Sequence, residues 1–214
     1  MAPMPTSAKI CGLSTLATLD AAIAGGASHV GLVFFPRSPR NVALDFAGGL
    51  AARVPPQIGR VGVFVDPDDA LIDRAIAAGR LEALQLHKVT PARSAAIRAR
   101  FGREVWAAVP VRTHADLAAA HGFVGAADRL LFDAKTPPGA ALPGGMGLRF
   151  DWALLDGFRH PLPWALSGGL DPENVVEAIR RTGAPLVDVS SGVESAPGVK
   201  DVDKIAAFLK AVAR

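Results

Sequence analysis

Arg60-Val-Gly-Val-Phe-Val65, Asp66-Pro-Asp-Asp69, the stretch from Ala70 to Gly79, and Ala83-Leu-Gln-Leu-His87 make up one unit of a pattern that runs along the chain. The unit opens with an apolar run. Continuous runs, rather than alternating ones, mark strands buried on both faces. Helix-start chemistry follows, with Asp66 as N-cap, Pro67 at the first helical position and a carboxylate in the first turn. An Ala-rich stretch then reaches Gly79, a residue type that suits the end of a helix. The next apolar run begins soon after.

The same cycle repeats in both directions. The predicted strands are Lys9–Leu13, His29–Phe34, Arg60–Val65, Ala83–His87, Val105–Val109, Arg129–Phe132, Leu162–Leu166 and Leu186–Val189. Most of their starts are separated by roughly 20 to 35 residues, the size of a βα unit. Thr90-Pro91, Thr113 with Asp116, and Asp171-Pro172-Glu173 repeat the helix-start signal, while Gly25-Gly26, Gly102, Gly122 and Gly183 repeat the stop. Val202 to Val212 reads as the closing helix. Eight cycles predict an α/β fold, a (β/α)8 TIM barrel, as a single domain over residues 1–214. An open α/β sheet is the alternative. One interruption stands out: residues 134–149 are rich in Gly and Pro and follow the sixth strand, where they read as a mobile active-site loop.

Composition narrows the function. Half of the 214 residues are hydrophobic, 20% are charged and mean hydropathy is +0.29, which suits one buried core and excludes disorder. Net charge is +3, and the 23 Lys and Arg are scattered, with Arg98, Arg100 and Arg103 the densest stretch. No basic stripe interleaved with aromatics points to nucleic acid, whereas modest positive charge suits an anionic small molecule. The lone Cys11 rules out an internal disulfide and fits a reducing cytoplasm. Met1 to Lys9 lacks the apolar core of a signal peptide, and no apolar window is long enough for a membrane span.

Barrel chemistry sits at strand C-terminal ends. Cys11 ends the first strand, Gln85 and His87 the fourth, and Asp133 the sixth, with Arg37 and Arg40 in the loop after the second. Ser167-Gly168-Gly169 and Ser190-Ser191-Gly192 follow strands seven and eight, where small residues let backbone amides close on a phosphate. For Gln85 and His87, substrate contact and a structural hydrogen bond both stay open. Asp188 bonds within the barrel or positions the phosphate loop. His29, His114, His121 and His160 have no ligand-like spacing, so no metal is expected. Lys135 suggests a Schiff-base aldolase, a reading that leaves Cys11 and Arg40 idle. Trp106, Trp152 and Trp164 read as packing.

These residues fall within longer motifs. Lys9-Ile-Cys-Gly12, Phe34-Phe-Pro-Arg-Ser-Pro-Arg40, Val61-Gly-Val-Phe-Val65, Gln85-Leu-His87, Phe150-Asp-Trp152, Leu166-Ser-Gly-Gly-Leu170 with Pro172-Glu-Asn-Val175, and Val187-Asp-Val-Ser-Ser-Gly-Val-Glu194 follow in order over nearly the whole chain. Together they resemble the phosphoribosylanthranilate isomerase family. The resemblance implies an Amadori rearrangement of a phosphorylated aminosugar in tryptophan biosynthesis, with no cofactor. It implies Cys11 as general base and Asp133 as general acid, with Arg40 pairing with the anthranilate carboxylate. Gly168, Gly169, Ser190, Ser191 and Gly192 would hold the phosphate, and Arg37 is left as a surface charge.

Chemistry supports the roles. Ring opening needs a carboxylic acid still protonated near neutral pH, which burial or a negative neighbour provides. The base needs a thiolate whose pKa nearby positive charge has lowered. Two departures from the family pattern bear on the loops: Met146 stands where Gly-Gly-Thr-Gly or Gly-Gly-Ser-Gly is usual, and Lys88 replaces a glycine. The competing functions are Amadori chemistry on the histidine-pathway ribonucleotide, which typically uses paired aspartates, and a non-catalytic phosphosugar-binding barrel. Monomer and homodimer both fit the sequence.

Overall fold

Each of the eight apolar runs becomes a strand. The computed structural model describes residues 5–137, 139–140 and 142–213. The predicted domain's ends, Met1–Met4 and Arg214, and Pro138 and Ala141 of the long loop lie outside the described residues. In chain order the elements are β1 (Ser7–Cys11), α1 (Leu16–Ala24), β2 (His29–Val33), α2 (Leu44–Arg53), β3 (Gly59–Val65), α3 (Asp69–Gly79), β4 (Ala83–His87), α4 (Pro91–Phe101) and β5 (Glu104–Val111). They continue with β6 (Arg129–Ala134), β7 (Trp164–Leu166), α5 (Val175–Thr182), β8 (Leu186–Val189), a small hairpin of β9 (Glu194–Ala196) and β10 (Val199–Lys200), and α6 (Val202–Val212). The first eight strands are parallel and close into a barrel in sequence order, with β1 pairing both β2 and β8.

Local rules explain most element ends and correct some predicted ones. Thr90 caps α4 by accepting from the Arg93 amide, with Pro91 in the first turn, and Gly102 ends it in the left-handed conformation. For α3 the cap is Asp68, not Asp66. The Asp66 amide still donates to the His87 carbonyl in the sheet, and the chain turns there at φ +43°, so the helix starts two residues later. Asp171 shapes a turn by accepting from the Glu173 and Asn174 amides, and α5 begins only at Val175. Units five and six carry 3-10 helices, His114–Phe123 and Trp152–Leu155, although the Thr113 and Asp116 signal predicts an ordinary helix start for the first. Gly122 sits inside the first of these instead of ending it, and glycine weakens α-helix there.

Two cores result. Outward-facing strand residues such as Ile10, Leu32, Phe64, Leu84, Phe132 and Val187 pack under the helices. Inside the barrel, Val61, Ala83, Trp106, Leu131, Ala165 and Leu186 form an apolar floor. Side chains alternate along a strand, so two residues onward the same strands aim Val63, Gln85, Asp133, Ser167 and Asp188 toward the C-terminal mouth. No helix among the described residues is long and apolar enough to cross a membrane.

Candidate active site

The mouth holds a cavity of about 790 Å³, including its opening, and Cys11, Asp133, Arg40, Gln85, His87, Gly168, Gly169, Ser190 and Ser191 all border it. Gly192 lies beside the cradle, with its Cα against Leu170: a Cβ there would overlap the Leu170 carbonyl oxygen. Gly168 has φ +88° and its Cα faces Asp133 Oδ1 and the Ala134 amide, so only glycine lets this loop approach β6 so closely. The loop residue Gly144 lies over Asp133 Oδ2, and Gly145 over the Arg40 guanidinium. Gly144 and Gly145 therefore cover this part of the site. Met146 is about half exposed and borders the cavity.

Asp133 is 7% exposed, and its Oδ1 accepts from the Ala134 amide at 2.8 Å. Burial, helped by the charge of Asp188, pushes its carboxyl up to about 7, the range a general acid needs. Cys11 corrects an expectation. Burial pushes its thiol above the ordinary range, although Lys9 and Lys200 pull the other way. Positive charge is present as predicted, but desolvation outweighs it.

Arg40 is also more constrained than a waiting anchor. It is 5% exposed and grips Glu194 twice, through Nε at 2.7 Å and Nη2 at 2.8 Å, while Nη2 also donates to the Gly145 carbonyl at 2.9 Å. Nη1 makes no hydrogen bond among the described residues and lies against Gly145, where a Cβ would come within 2.7 Å of it. Hydrogen bonds from Arg40 and Lys200 outweigh burial and keep Glu194 ionised. Gln85 Nε2 lies 2.9 Å from His87 Nε2, and Gln85 Oε1 is buried with no partner. Burial, with Lys9 adding to it, lowers the His87 pKa to about 4, so this imidazole is neutral.

A model of the N-(5'phosphoribosyl)anthranilate (PRA) isomerase family matches residues 8–211. The chain belongs to this family. The N-(5'-phosphoribosyl)anthranilate isomerase of Paramagnetospirillum magneticum is 54% identical over 97% of each chain. Among solved structures, one of monomers of the dimeric isomerase from Thermotoga maritima superposes with TM-score 0.80 at 35% identity, covering 97% of this chain and 98% of that one. A phosphoribosylanthranilate isomerase in complex with reduced 1-(o-carboxyphenylamino)-1-deoxyribulose 5-phosphate gives TM-score 0.81 at 34% identity, with the same coverage.

The remaining candidates fall away from the cavity. Arg37 is exposed, and Lys135 pairs with Asp116 at 2.6 Å on the surface. Trp106 lies in the floor, while His160 stacks on Trp164 with ring centroids 4.0 Å apart. No cluster of three His, Cys, Asp or Glu among the described residues is arranged to hold a metal. Sequence reasoning gave no role to Lys9, Glu194 or Lys200. Lys9 had a signal: a cation two residues before Cys11 in a buried strand shares its inward face. Lys200, which donates to Ser190 and Glu194, had none. The family's usual glycine after His87 has a reason here too, since Lys88 adopts φ +55°, which glycine tolerates best.

Proposed function

We propose that this member of the PRA isomerase family converts N-(5-phosphoribosyl)anthranilate to 1-(2-carboxyphenylamino)-1-deoxyribulose 5-phosphate in tryptophan biosynthesis, with Asp133 as acid and Cys11 as base. The observation that carries the reading is one cavity bordered by a raised carboxyl on β6 and a thiol on β1, between a Gly/Ser cradle and an arginine. Protonated Asp133 gives its proton to the furanose ring oxygen as the C1′–O bond breaks. The nitrogen lone pair then forms the C1′=N iminium, which acidifies the C2′ hydrogen. Cys11 thiolate removes that proton, and the bonding pair becomes the C1′=C2′ enamine, which tautomerises to the 2′-ketone. Burial supports the protonated state of Asp133 and opposes the Cys11 thiolate, which the charges of Lys9 and Lys200 favour.

Gly168, Gly169, Ser190, Ser191 and Gly192 hold the phosphate in this reading. The two Nη1 protons of Arg40 take the anthranilate carboxylate, while Glu194 fixes the guanidinium plane. Gln85 and His87 contact the substrate from β4. Residues 134–149 act as a lid that opens for entry, because Gly144 and Gly145 sit over Asp133 and Arg40. The whole chain, 1–214, works as one domain in the cytoplasm. A monomer and a homodimer serve the mechanism equally, since every proposed group comes from one chain.

The test is turnover of freshly generated phosphoribosylanthranilate, followed by loss of its fluorescence, for the wild type, Cys11→Ser and Asp133→Asn. Fast loss in the wild type and near silence in both variants is expected. Wild-type rates in both variants would overturn the acid and base assignment. No turnover by the wild type would overturn the substrate.

A further inference from the structure

The proposed chemistry leaves two buried cations without a role: Lys200, which is held by Glu194 and Ser190, and Lys9. Lys9 on β1 is fully buried and does not border the mouth cavity. Its Nζ donates to Asp188 Oδ1 at 2.7 Å, and its charge favours the thiolate of Cys11, two residues on along the same strand face. Burial alone would strip the proton from this amine, but Asp188 and Cys11 outweigh it and keep the ammonium. Asp188 in turn accepts from the Ser167 hydroxyl at 3.3 Å.

The neighbouring strand leaves room for this approach. Gly31 on β2 is paired with Cys11 in the sheet register. A Cβ at position 31 would lie 3.1 Å from Cys11 Sγ and 3.2 Å from Lys9 Cε. Glycine there leaves the sulfur and the lysine stem room to lie against the same point of β2, where a larger residue would crowd both. As a stabilising device the Lys9–Asp188 pair is poor, since a packed apolar pair of similar size serves as well or better. The floor just beneath is apolar.

Resting on the assignment of Cys11 as base, we infer that Lys9 is the positioning residue that holds the Cys11 thiolate, facing it across the gap that Gly31 leaves open. The charged groups that act on this thiol are Lys9 on its own strand, Asp188 on β8 and Lys200 on β10, while Arg40, His87 and Asp133 border the same cavity. Lys200 is engaged by Glu194 and Ser190, and its pull on the thiol ranks below that of Lys9. Asp188 opposes ionisation of the thiol.

One property of the chain makes the inference directly measurable. Cys11 is its only cysteine and it has no tyrosine, so ultraviolet titration of the thiolate, with Cys11→Ala as baseline, has neither a second thiol nor a phenol to confuse it. The inference predicts opposite shifts. Asp188→Asn lowers the thiol midpoint, and Lys9→Met raises it by about one pH unit, leaving about ten-fold less thiolate at a given pH below it. If Lys9→Met fails to fold, Lys9→Met/Asp188→Asn removes both charges, strands neither, and still titrates above the wild type. In turnover, folded Lys9 variants lose kcat with little change in KM, because Lys9 does not border the cavity. An unmoved midpoint in the folded variants, with Cys11→Ala inactive, would overturn the role of Lys9 alone. Full turnover by Cys11→Ala would instead remove the base assignment beneath it.

Discussion

Two residues along a strand separate the floor of the barrel from its mouth, and the chemistry changes over that step. Leu131 leads to Asp133, Leu186 to Asp188 and Ala83 to Gln85. Both layers are buried, so exposure does not distinguish them. The floor contributes mainly dispersion and transfer energy, with the Arg129 guanidinium 4.9 Å from the Trp106 ring centroid. The mouth holds a carboxyl, a thiol and charged pairs in a similar degree of seclusion, and this seclusion lifts Asp133 to about 7. Burial thus acts as adhesive at one level and as a tuner of proton affinity at the next.

The largest test of this division is Asp133→Asn, which should cut kcat roughly a hundred- to ten-thousand-fold while leaving the fold intact. Its stability follows from linkage. The folded pKa of Asp133 is raised, so between the ordinary carboxylate range and about 7 the native state holds a proton that the unfolded chain has lost. Stability falls as pH rises through that window, and the amide removes the loss. Thermal melts at neutral pH should therefore place Asp133→Asn at or above the wild type. A markedly lower melting temperature would break the division.

Trp106→Ala in the floor is the converse, with an expected loss of about 3–5 kcal/mol in denaturant unfolding. The fraction that remains folded should turn over near the wild-type rate. Inactive but folded protein would mean that floor and mouth are coupled.

A pH profile of kcat/KM sharpens the comparison within the mouth. On the proposed roles the active form has Asp133 protonated and Cys11 ionised, yet burial raises the thiol above its ordinary range and the carboxyl only to about 7. The rate should climb with pH while thiolate accumulates and then flatten near pH 7, as lost acid offsets gained base. It should fall only once the thiol has fully ionised. The lower bend then belongs to the acid, and Asp133→Asn should abolish it in whatever residual rate survives.

The smallest effect is outside both layers. Lys88→Gly relieves the left-handed backbone after β4 and should add about 0.5–1 kcal/mol of stability, read by unfolding, with kcat unchanged.

Eight strands were legible because each is an unbroken apolar run closed by a turn signal, and the ends erred where one residue overrode the run. Leu13 is fully buried, but β1 stops at Cys11 because Gly12 turns at φ +79°. Cys11, Asp133 and Arg40 were legible as strand-end or loop groups. What they touch was not. The Arg40–Glu194 and Lys9–Asp188 pairs join residues brought together only by closure of the ring, and no local spacing encodes them. The proton affinity of Cys11 likewise depends on how desolvation and two lysines balance in three dimensions.

Arg40 and Glu194 lie 154 positions apart, and their contact ties the second unit to the hairpin after the eighth. Loop closure over such a span comes late in folding, after local units have formed. The guanidinium is thus set in place by one of the final events in the life of the nascent chain. A polypeptide cut short before Glu194 keeps most of its strands and loses the clamp on Arg40.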